Sequence, residues 1–242
     1  MNTSRFHLER VIKEMAASLP AGAIVLDAGA GDCRYARFFA DKRYESCDFA
    51  QVKGKTYGTL THICDIRSIP VEDGRYDAVL CSQVLAHIPD SVTTVRELAR
   101  VLRPGGTLWL TAPLFFQENE PPYDFYRFTQ HGLRHLAGEA RLEEVRIEWL
   151  EGYAGTVSYQ LGMAVRALPR TPSGLGGGVL GVLASIAVWL SLPGLAALSW
   201  LLARADMRRR CTARGMCKNY VLVARRPLSG EPGEGNPKEA QA

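Results

Sequence analysis

The sequence predicts an α/β protein with a mostly parallel β-sheet and helices on both of its faces. Short apolar runs closed by glycine, typical of strands buried on both faces, alternate with amphipathic segments of helical period. Strands that alternate with helices in this way form βαβ units and therefore parallel sheets. Of the 242 residues, 47% are hydrophobic and 22% are charged, which excludes collagen-like, coiled-coil and wholly disordered chains.

The first half of the chain establishes this alternation. Apolar side chains at helical spacing predict a helix over 4–18, which Pro20 and Gly22 end. The apolar run AIVLDAG at 23–29 predicts the first strand. A helix over 34–41 follows, and three further strands are predicted at 43–49, 61–65 and 76–82.

The second half brings the number of predicted strands to seven. Asp90 and Thr129 stand where N-cap residues would begin helices over 91–102 and to about residue 140. The remaining strands are predicted at 107–113, 142–150 and 219–226. Residues 227–242 are rich in Gly, Pro and Glu, a composition typical of a disordered tail.

An uncharged segment at 171–203 interrupts the pattern before the last strand. Because about 20 apolar residues can cross a bilayer, its length indicates contact with a membrane. A single crossing would leave strand 219–226 on the wrong side, so we expect a monotopic or re-entrant hairpin that bends at Pro193 and Gly194. An apolar insertion buried against the domain or in a dimer is the alternative.

The charge distribution supports a membrane surface rather than nucleic acid. The formal net charge is +4, and basic side chains concentrate at 204–226, directly after the uncharged segment. Nucleic-acid binding would favour basic residues spread over an aromatic face. The six cysteines form no C-x-x-C pair, and no signal peptide is expected, so we predict a cytoplasmic protein held at the cytoplasmic face of the membrane.

Acidic and glycine residues follow the first three strands, where ligands of parallel α/β sheets bind. The loop DAGAGDC at 27–33 gives an acid followed by G-x-G. A dinucleotide fingerprint would need a third glycine where the chain has Arg34, and a phosphate loop would need G-K-[ST]. Asp48 ends the second strand, where a carboxylate can bind ribose hydroxyls, and Asp65 ends the third, where it could bind an adenine amino group.

These segments resemble class I S-adenosylmethionine-dependent methyltransferases, especially the small-molecule group often called type 11. The matching pieces include VLDAGAGDC and ELARVLRPGGTLWLTAP, and they cover 25–33, 46–50, 64–90 and 97–113. The resemblance implies a Rossmann-like seven-stranded sheet and S-adenosyl-L-methionine as cofactor. The family's third glycine is replaced by Cys33.

The resemblance also assigns cofactor-binding roles. The methionine portion would lie on Asp27, Gly29 and Gly31, and the ribose on Asp48. The adenine would lie on Asp65 and the backbone of Ile66. Ser82 and Gln83 would line the pocket beneath the sulfonium.

The segment PPYDFYRFTQHGLRHL at 121–136 resembles a subgroup whose members often lie among genes for cell-envelope synthesis, which implies a glycan-related acceptor. Tyr123, Tyr126 and Arg127 are the candidate substrate-binding residues, although Arg127 could instead lock a lid. A hydroxyl acceptor needs a general base, for which Glu120 and His87 are the candidates. His87 could instead orient the turn before Pro89.

The sequence therefore predicts methyl transfer to a hydroxyl or amine of a small or lipid- or glycan-linked acceptor, with no metal and no nucleic acid. A non-catalytic S-adenosylmethionine-binding or scaffold protein of the same fold is the alternative. A nicotinamide-dependent oxidoreductase is disfavoured by Arg34. The predicted organisation is a methyltransferase domain, an apolar helical insertion, the final strand and the tail, at 1–156, 157–210, 211–226 and 227–242.

Overall fold

A computed structural model describes residues 2–228, which divide into two compact units. The sheet unit comprises Glu9–Glu148 and the chain from Asn219 onward. The helical unit comprises the chain up to Leu8 and Trp149–Lys218. The predicted tail at 227–242 lies outside the described residues from 229 onward, and the predicted boundaries at 156 and 210 stay predictions.

A seven-stranded sheet runs through the described residues in the order β3-β2-β1-β4-β5-β7-β6. Neighbours among β1 to β5 pair in parallel, whereas β7 is antiparallel to β5. The predicted mostly parallel α/β sheet is therefore confirmed. Its strands are β1 (Ile24–Ala28), β2 (Arg43–Asp48), β3 (His62–Ile63), β4 (Tyr76–Ser82), β5 (Leu102–Pro113), β6 (Glu143–Trp149) and β7 (Asn219–Arg225).

Five α-helices lie in the described chain, and both predicted N-caps are present. Asp90 Oδ1 accepts from the Thr93 amide at 3.0 Å, and Thr129 Oγ1 accepts from the Gly132 amide at 3.1 Å. These bonds satisfy amides that have no partner inside the first turn. The helices are α1 (Thr3–Ser18), α2 (Ser91–Val101), α3 (Gln130–Glu139), α4 (Tyr153–Ala167) and α5 (Gly178–Arg208).

The helix predicted over 34–41 is wrong in extent, because only a 3₁₀ turn forms at Ala36–Phe38. The Phe38 and Phe39 amides donate to carbonyls three residues earlier, at 2.9 and 3.0 Å. This tighter winding suits a connection that must bury Phe39 and then enter β2 within a few residues.

The site is positioned by β1 and by the two strands that flank it in the sheet. β1 pairs with both β2 and β4, so that Asp27 lies beside Ser46 on one side and Leu80 on the other. Val25 and Leu26 point to opposite faces and are both fully buried, as the uninterrupted apolar run predicts. The carboxyl ends of β1, β2 and β4 therefore meet along one edge.

The helical unit contains an antiparallel helix pair, α4 with α5. Ser158 Oγ donates to the Ser199 carbonyl at 2.7 Å, and Ser199 Oγ donates to the Ser158 carbonyl at 2.8 Å. The predicted bend at Pro193 and Gly194 is wrong, because α5 is continuous through Pro193. One proline removes one backbone hydrogen bond, which the remaining bonds of a long apolar helix tolerate. The hairpin turns at 168–177 instead.

Buried polar side chains fix the base of this hairpin. His7 Nε2 lies 2.9 Å from Asp206 Oδ2, near the end of α5. Lys218 Nζ donates to Ser4 Oγ at 2.8 Å, and Ser4 Oγ donates to Glu151 Oε1 at 3.2 Å. The two ends of the hairpin are thus held together by hydrogen-bonded groups that would be costly to bury alone.

Candidate cofactor and active site

The loop after β1 needs its glycines for two physical reasons. Gly29 and Gly31 have φ of 83° and 55°, a region that L side chains rarely adopt. A Cβ on Gly29 would lie 2.6 Å from Val84 Cγ1 and closer still to Cγ2. The Gly29 and Ala30 amides donate to the Cys47 carbonyl at 2.8 and 3.0 Å, which ties the loop to the end of β2.

Cys33, which replaces the family's third glycine, adopts a glycine-like backbone conformation with φ of 55°. Its thiol lies 3.7 Å from Ser46 Oγ and packs against Gly58, where an added Cβ would come within 2.8 Å of the sulfur. The Gly58 amide donates to the Gly31 carbonyl at 2.9 Å. The turn therefore keeps its shape despite the substitution.

Asp48 joins the end of β2 to the loop 29–33 after β1, the glycine loop. It is 7% exposed, its Oδ2 accepts from the Gly31 amide at 3.0 Å, and its Oδ1 accepts from the Ala50 amide at 3.1 Å. Because a carboxylate has about four acceptor positions, both oxygens retain capacity for ribose hydroxyls. The geometry suits the role that the resemblance assigns to Asp48.

Asp27 is the most deeply buried acid of the site, with 2% of its surface exposed. Burial raises the pKa of Asp27 to about 7, and the negative charge of Asp48 adds to the rise. A hydrogen bond of 2.8 Å from Tyr44 Oη to Asp27 Oδ2 opposes it. This carboxyl therefore changes charge near neutral pH.

Asp65 follows β3 by two residues, because the strand predicted at 61–65 is limited to His62–Ile63, and its carboxylate already has a charged partner. Arg67 Nη2 donates to Asp65 Oδ2 at 2.6 Å, and this hydrogen bond holds the pKa of Asp65 below its usual range. Both side chains are almost half exposed, whereas Ile66 between them is buried. An adenine amino group would share the Asp65 carboxylate with Arg67.

Ser82 and Gln83 end β4 beside Thr111 of β5. Thr111 Oγ1 donates to Ser82 Oγ at 3.2 Å and accepts from Gln83 Nε2 at 3.1 Å. Gln83 has φ of 61°, and its amide donates to the Thr111 carbonyl at 3.0 Å. Sequence reasoning missed Thr111, although its position near the end of a predicted strand was a usable signal.

Arg127 organises the segment that follows β5. Its guanidinium donates to both oxygens of Asp124, at 2.6 and 2.9 Å, and to the carbonyls of Phe116 and Gln117, at 3.2 and 2.9 Å. Arg127 holds the pKa of Asp124 at about 2. These bonds suit a residue that locks the segment, and substrate binding by Arg127 stays a prediction.

The same segment is fastened to the turn after β4. His87 Nδ1 donates to the Tyr123 carbonyl at 2.5 Å, and Tyr126 Oη donates to the Pro89 carbonyl at 2.8 Å. Since a carbonyl only accepts, Nδ1 carries the proton, and Nε2 of a neutral His87 ring is the basic nitrogen. The Tyr123 ring meets Phe49 edge to face, with centroids 5.5 Å apart, next to Asp48.

Glu120 also reaches the glycine loop, through a lysine that sequence reasoning missed. Lys55 Nζ lies 3.3 and 3.2 Å from the two Glu120 oxygens. The Lys55 Cε atom lies 3.6 Å from the position of a Cβ on Gly31. Lys55 stands in an irregular segment between β2 and β3, where no periodic pattern could have indicated its role.

The described contacts link most of the expected site residues into one network. Gly31 bonds to Asp48, Phe49 packs on Tyr123, and Tyr123 bonds to His87. Asp65 is connected to this network through its neighbour Cys64, whose amide donates to the Asp48 carbonyl at 3.0 Å. The glycines allow a ligand to approach the backbone closely, the acids at the strand ends can accept hydrogen bonds, and Phe49 and Tyr123 offer aromatic surface. This combination suits a nucleoside with an attached amino acid.

Comparisons with known proteins agree with this geometry. The family model described as a methyltransferase domain matches residues 26–110. A ubiquinone biosynthesis O-methyltransferase of Bordetella bronchiseptica is 32% identical over 115 residues, which are 41% of this chain and 46% of that protein. A tRNA (carboxymethyluridine(34)-5-O)-methyltransferase of Mus musculus is 34% identical over 103 residues, 39% of this chain and 15% of that protein.

A solved structure extends the similarity beyond the matched core. The 1,6-didemethyltoxoflavin-N1-methyltransferase of Burkholderia thailandensis, with bound 1,6-didemethyltoxoflavin and S-adenosylhomocysteine, superposes with a TM-score of 0.52 at 18% identity. The superposition covers 90% of this chain and 78% of that one. At this identity it shows the fold alone. The chain also spans less than half of the two curated relatives, so their acceptors do not transfer to it.

Proposed function

We propose that this chain uses S-adenosylmethionine to methylate a hydroxyl or amine of a small or lipid- or glycan-linked acceptor while attached to the cytoplasmic face of a membrane. The methyltransferase-domain match at 26–110 bears out the resemblance to class I S-adenosylmethionine-dependent methyltransferases, on which the choice of cofactor rests. The observation that carries the methyl-transfer proposal is the bond from the Gly31 amide to Asp48, which joins the glycine loop to the acid that would bind ribose. A non-catalytic cofactor-binding protein is the alternative.

The chemistry places modest demands on the protein. The cofactor, when bound, supplies a methyl group already activated on a sulfonium, so the chain mainly positions two reactants. A hydroxyl acceptor needs a base within hydrogen-bond reach of its proton, whereas an amine needs only its neutral form. Nε2 of His87 and the carboxylate of Glu120 are the groups that we propose for this proton.

Substitution of the two candidate bases tests this assignment. His87→Gln and Glu120→Gln should each be compared with wild type for formation of S-adenosylhomocysteine and for affinity toward it. Loss of the base should lower turnover by about 10²–10⁴-fold with a hydroxyl acceptor. Near-normal turnover in both variants would contradict a role for either residue, and absence of turnover in folded wild type with a panel of acceptors would favour the non-catalytic alternative.

The membrane proposal rests on the exposed surface of α5. Among the described residues, α5 is the one helix long and apolar enough to cross a membrane, and little of its most apolar stretch is buried. Val179, Leu180 and Leu190 are each more than three-quarters exposed. Exposed apolar area of this extent marks an interaction surface, because isolated soluble proteins rarely leave it in water.

Two arginine–tryptophan pairs lie along the hairpin, and the first of them supports a lipid partner. The Arg170 guanidinium lies 5.4 Å from the Trp189 ring centroid. Tryptophan and arginine are favoured at the level of lipid headgroups, where an anionic surface would attract Arg170. The second pair, Arg204 with the Trp200 ring at 5.2 Å, lies about 17 Å further along α5 and outside the inserted tip.

The first arginine–tryptophan pair limits how deeply α5 would enter. Residues 178–188 extend beyond Trp189 by about 17 Å at 1.5 Å per residue. This length is close to half of a hydrocarbon core of about 30 Å. Deeper insertion would draw Arg166 and Arg170 into hydrocarbon, which is costly. We therefore propose monotopic insertion of the hairpin tip, 171–188, into one leaflet.

Vesicle binding tests the proposal. Wild type should sediment with vesicles containing a third phosphatidylglycerol and bind less well to pure phosphatidylcholine. Leu180→Asp with Leu183→Asp should abolish sedimentation, because both side chains are exposed on the tip. Val145→Asp, which replaces one exposed apolar side chain of β6 by the same charged one, is the control and should sediment as wild type does. Vesicle binding that survives the tip substitutions would contradict tip insertion.

A further inference from the structure

Lys55 extends across the glycine loop without any role in the expected cofactor site. Its Cε lies 3.6 Å from the position of a Cβ on Gly31, and its Nζ forms an ion pair with Glu120 at 3.2 Å. The Lys55 and Glu120 side chains are 35% and 26% exposed, so the pair lies at the surface of the site rather than in the core.

The backbone on either side of Lys55 holds it in this place. The Val52 amide donates to Tyr57 Oη at 3.0 Å, which closes the segment on itself. The Gly58 amide donates to the Gly31 carbonyl at 2.9 Å, which fastens the segment to the glycine loop. The position of the Lys55 ammonium therefore follows from the loop that it covers.

The glycine loop is surrounded by acids, so an anionic ligand group there needs a cation. Asp27, Asp32 and Asp48 all belong to this loop or to the strand end beside it. Arg34 is bound to Asp32 through two bonds of 2.9 Å. Lys55, in contrast, forms an ion pair with Glu120, which belongs to a separate segment of the chain. An anionic ligand group can therefore replace Glu120 at the Lys55 ammonium.

We propose that Lys55 binds the carboxylate of the cofactor's amino-acid portion and that Glu120 occupies this place until the cofactor arrives. The inference rests on the proposed function, because the resemblance assigns the methionine portion to Gly29 and Gly31. The incoming carboxylate replaces one anion by another at the same ammonium, so the exchange conserves charge. It also releases the Glu120 carboxylate, which then accepts hydrogen bonds from the acceptor. Cofactor binding thereby prepares the candidate base.

Two ligands separate this role from general effects on the site. S-adenosylhomocysteine carries the amino-acid carboxylate, whereas 5′-methylthioadenosine lacks it and keeps the nucleoside. Lys55→Gln should weaken S-adenosylhomocysteine binding about tenfold or more and leave 5′-methylthioadenosine binding unchanged, as measured by calorimetry. Lys53→Gln removes the same charge at an exposed position two residues away and should change neither affinity.

Glu120→Gln tests the exchange itself. Without the competing anion, S-adenosylhomocysteine should bind several-fold more tightly, and 5′-methylthioadenosine should bind as to wild type. Equal effects of Lys55→Gln on both ligands, no effect on either, or weaker S-adenosylhomocysteine binding by Glu120→Gln would overturn this inference alone. Failure of folded wild type to bind either ligand would overturn the proposed function as well.

Discussion

Gly29→Ala should destabilise the sheet unit through two separable effects. With φ of 83°, an alanine at position 29 adopts a left-handed conformation that costs about 1–2 kcal/mol. Its Cβ would also press into Val84, at 2.6 Å from Cγ1, and overpacking of this kind costs about 1–3 kcal/mol. The expected total loss is about 2–5 kcal/mol, measured as the free energy of urea unfolding followed by circular dichroism.

Gly22 offers a matched control for the conformational part. Its φ is 77°, and a Cβ there would meet nothing within 4 Å. Gly22→Ala should therefore incur the conformational cost without the contact, and Gly29→Ala should exceed it by about 1–3 kcal/mol. In a double-mutant cycle, Val84→Ala should recover much of that difference. Equal losses at the two glycines, or no coupling to Val84, would show that contact with Val84 does not restrict position 29.

Two further predictions concern charged side chains. The pKa of Asp27 is raised from 3.8 to about 7 on folding, so the contribution of this carboxyl to stability falls as pH rises from 4 to 7. Asp27→Asn should therefore gain stability relative to wild type over this range, by a few kcal/mol at most. Urea midpoints at pH 5.5 and 8 check this, and a pH-independent difference would contradict it. Arg127→Lys cannot keep both bonds to Asp124 and the two carbonyls, so limited proteolysis within 114–128 should accelerate, and unchanged cleavage would argue against the lock.

The sheet was predictable because local and long-range signals agree there. The run 23–29 is apolar without alternation, and its strand β1 is buried on both faces between β2 and β4. Asp90 and Thr129 marked helix starts, since a side-chain oxygen at an N-cap replaces a missing intrahelical acceptor. Acids at strand ends indicated the site, because the ends of parallel strands lie along one edge.

The errors arose where tertiary contacts outweigh local preference. Pro193 and Gly194 favour a bend in an isolated chain, yet α5 continues through them while it packs on α4. Between Cys33 and β2 there is room for only about two turns of an α-helix. The segment forms a single 3₁₀ turn instead. Helix propensity is a weak prior in such connections.

Two of the missed site residues have a different cause. Lys55 and Phe49 act through segments with no periodic pattern, and their partners, Glu120 and Tyr123, lie about 70 residues further along the chain. Such pairings depend on how loops from separate strand ends approach each other. No local feature of the sequence records that approach, so it is visible only after folding.

The edge formed by the glycine loop and Asp48 should bind S-adenosylmethionine. Calorimetric titration of the folded full chain with S-adenosylhomocysteine measures this binding, which should saturate at one site per chain. Asp48→Ala should weaken it by about 1.5–3 kcal/mol, because the substitution removes a hydrogen-bonding charge that also anchors the Gly31 amide. Absence of binding to folded wild type, or equal affinity of wild type and Asp48→Ala, would exclude a cofactor site at this edge.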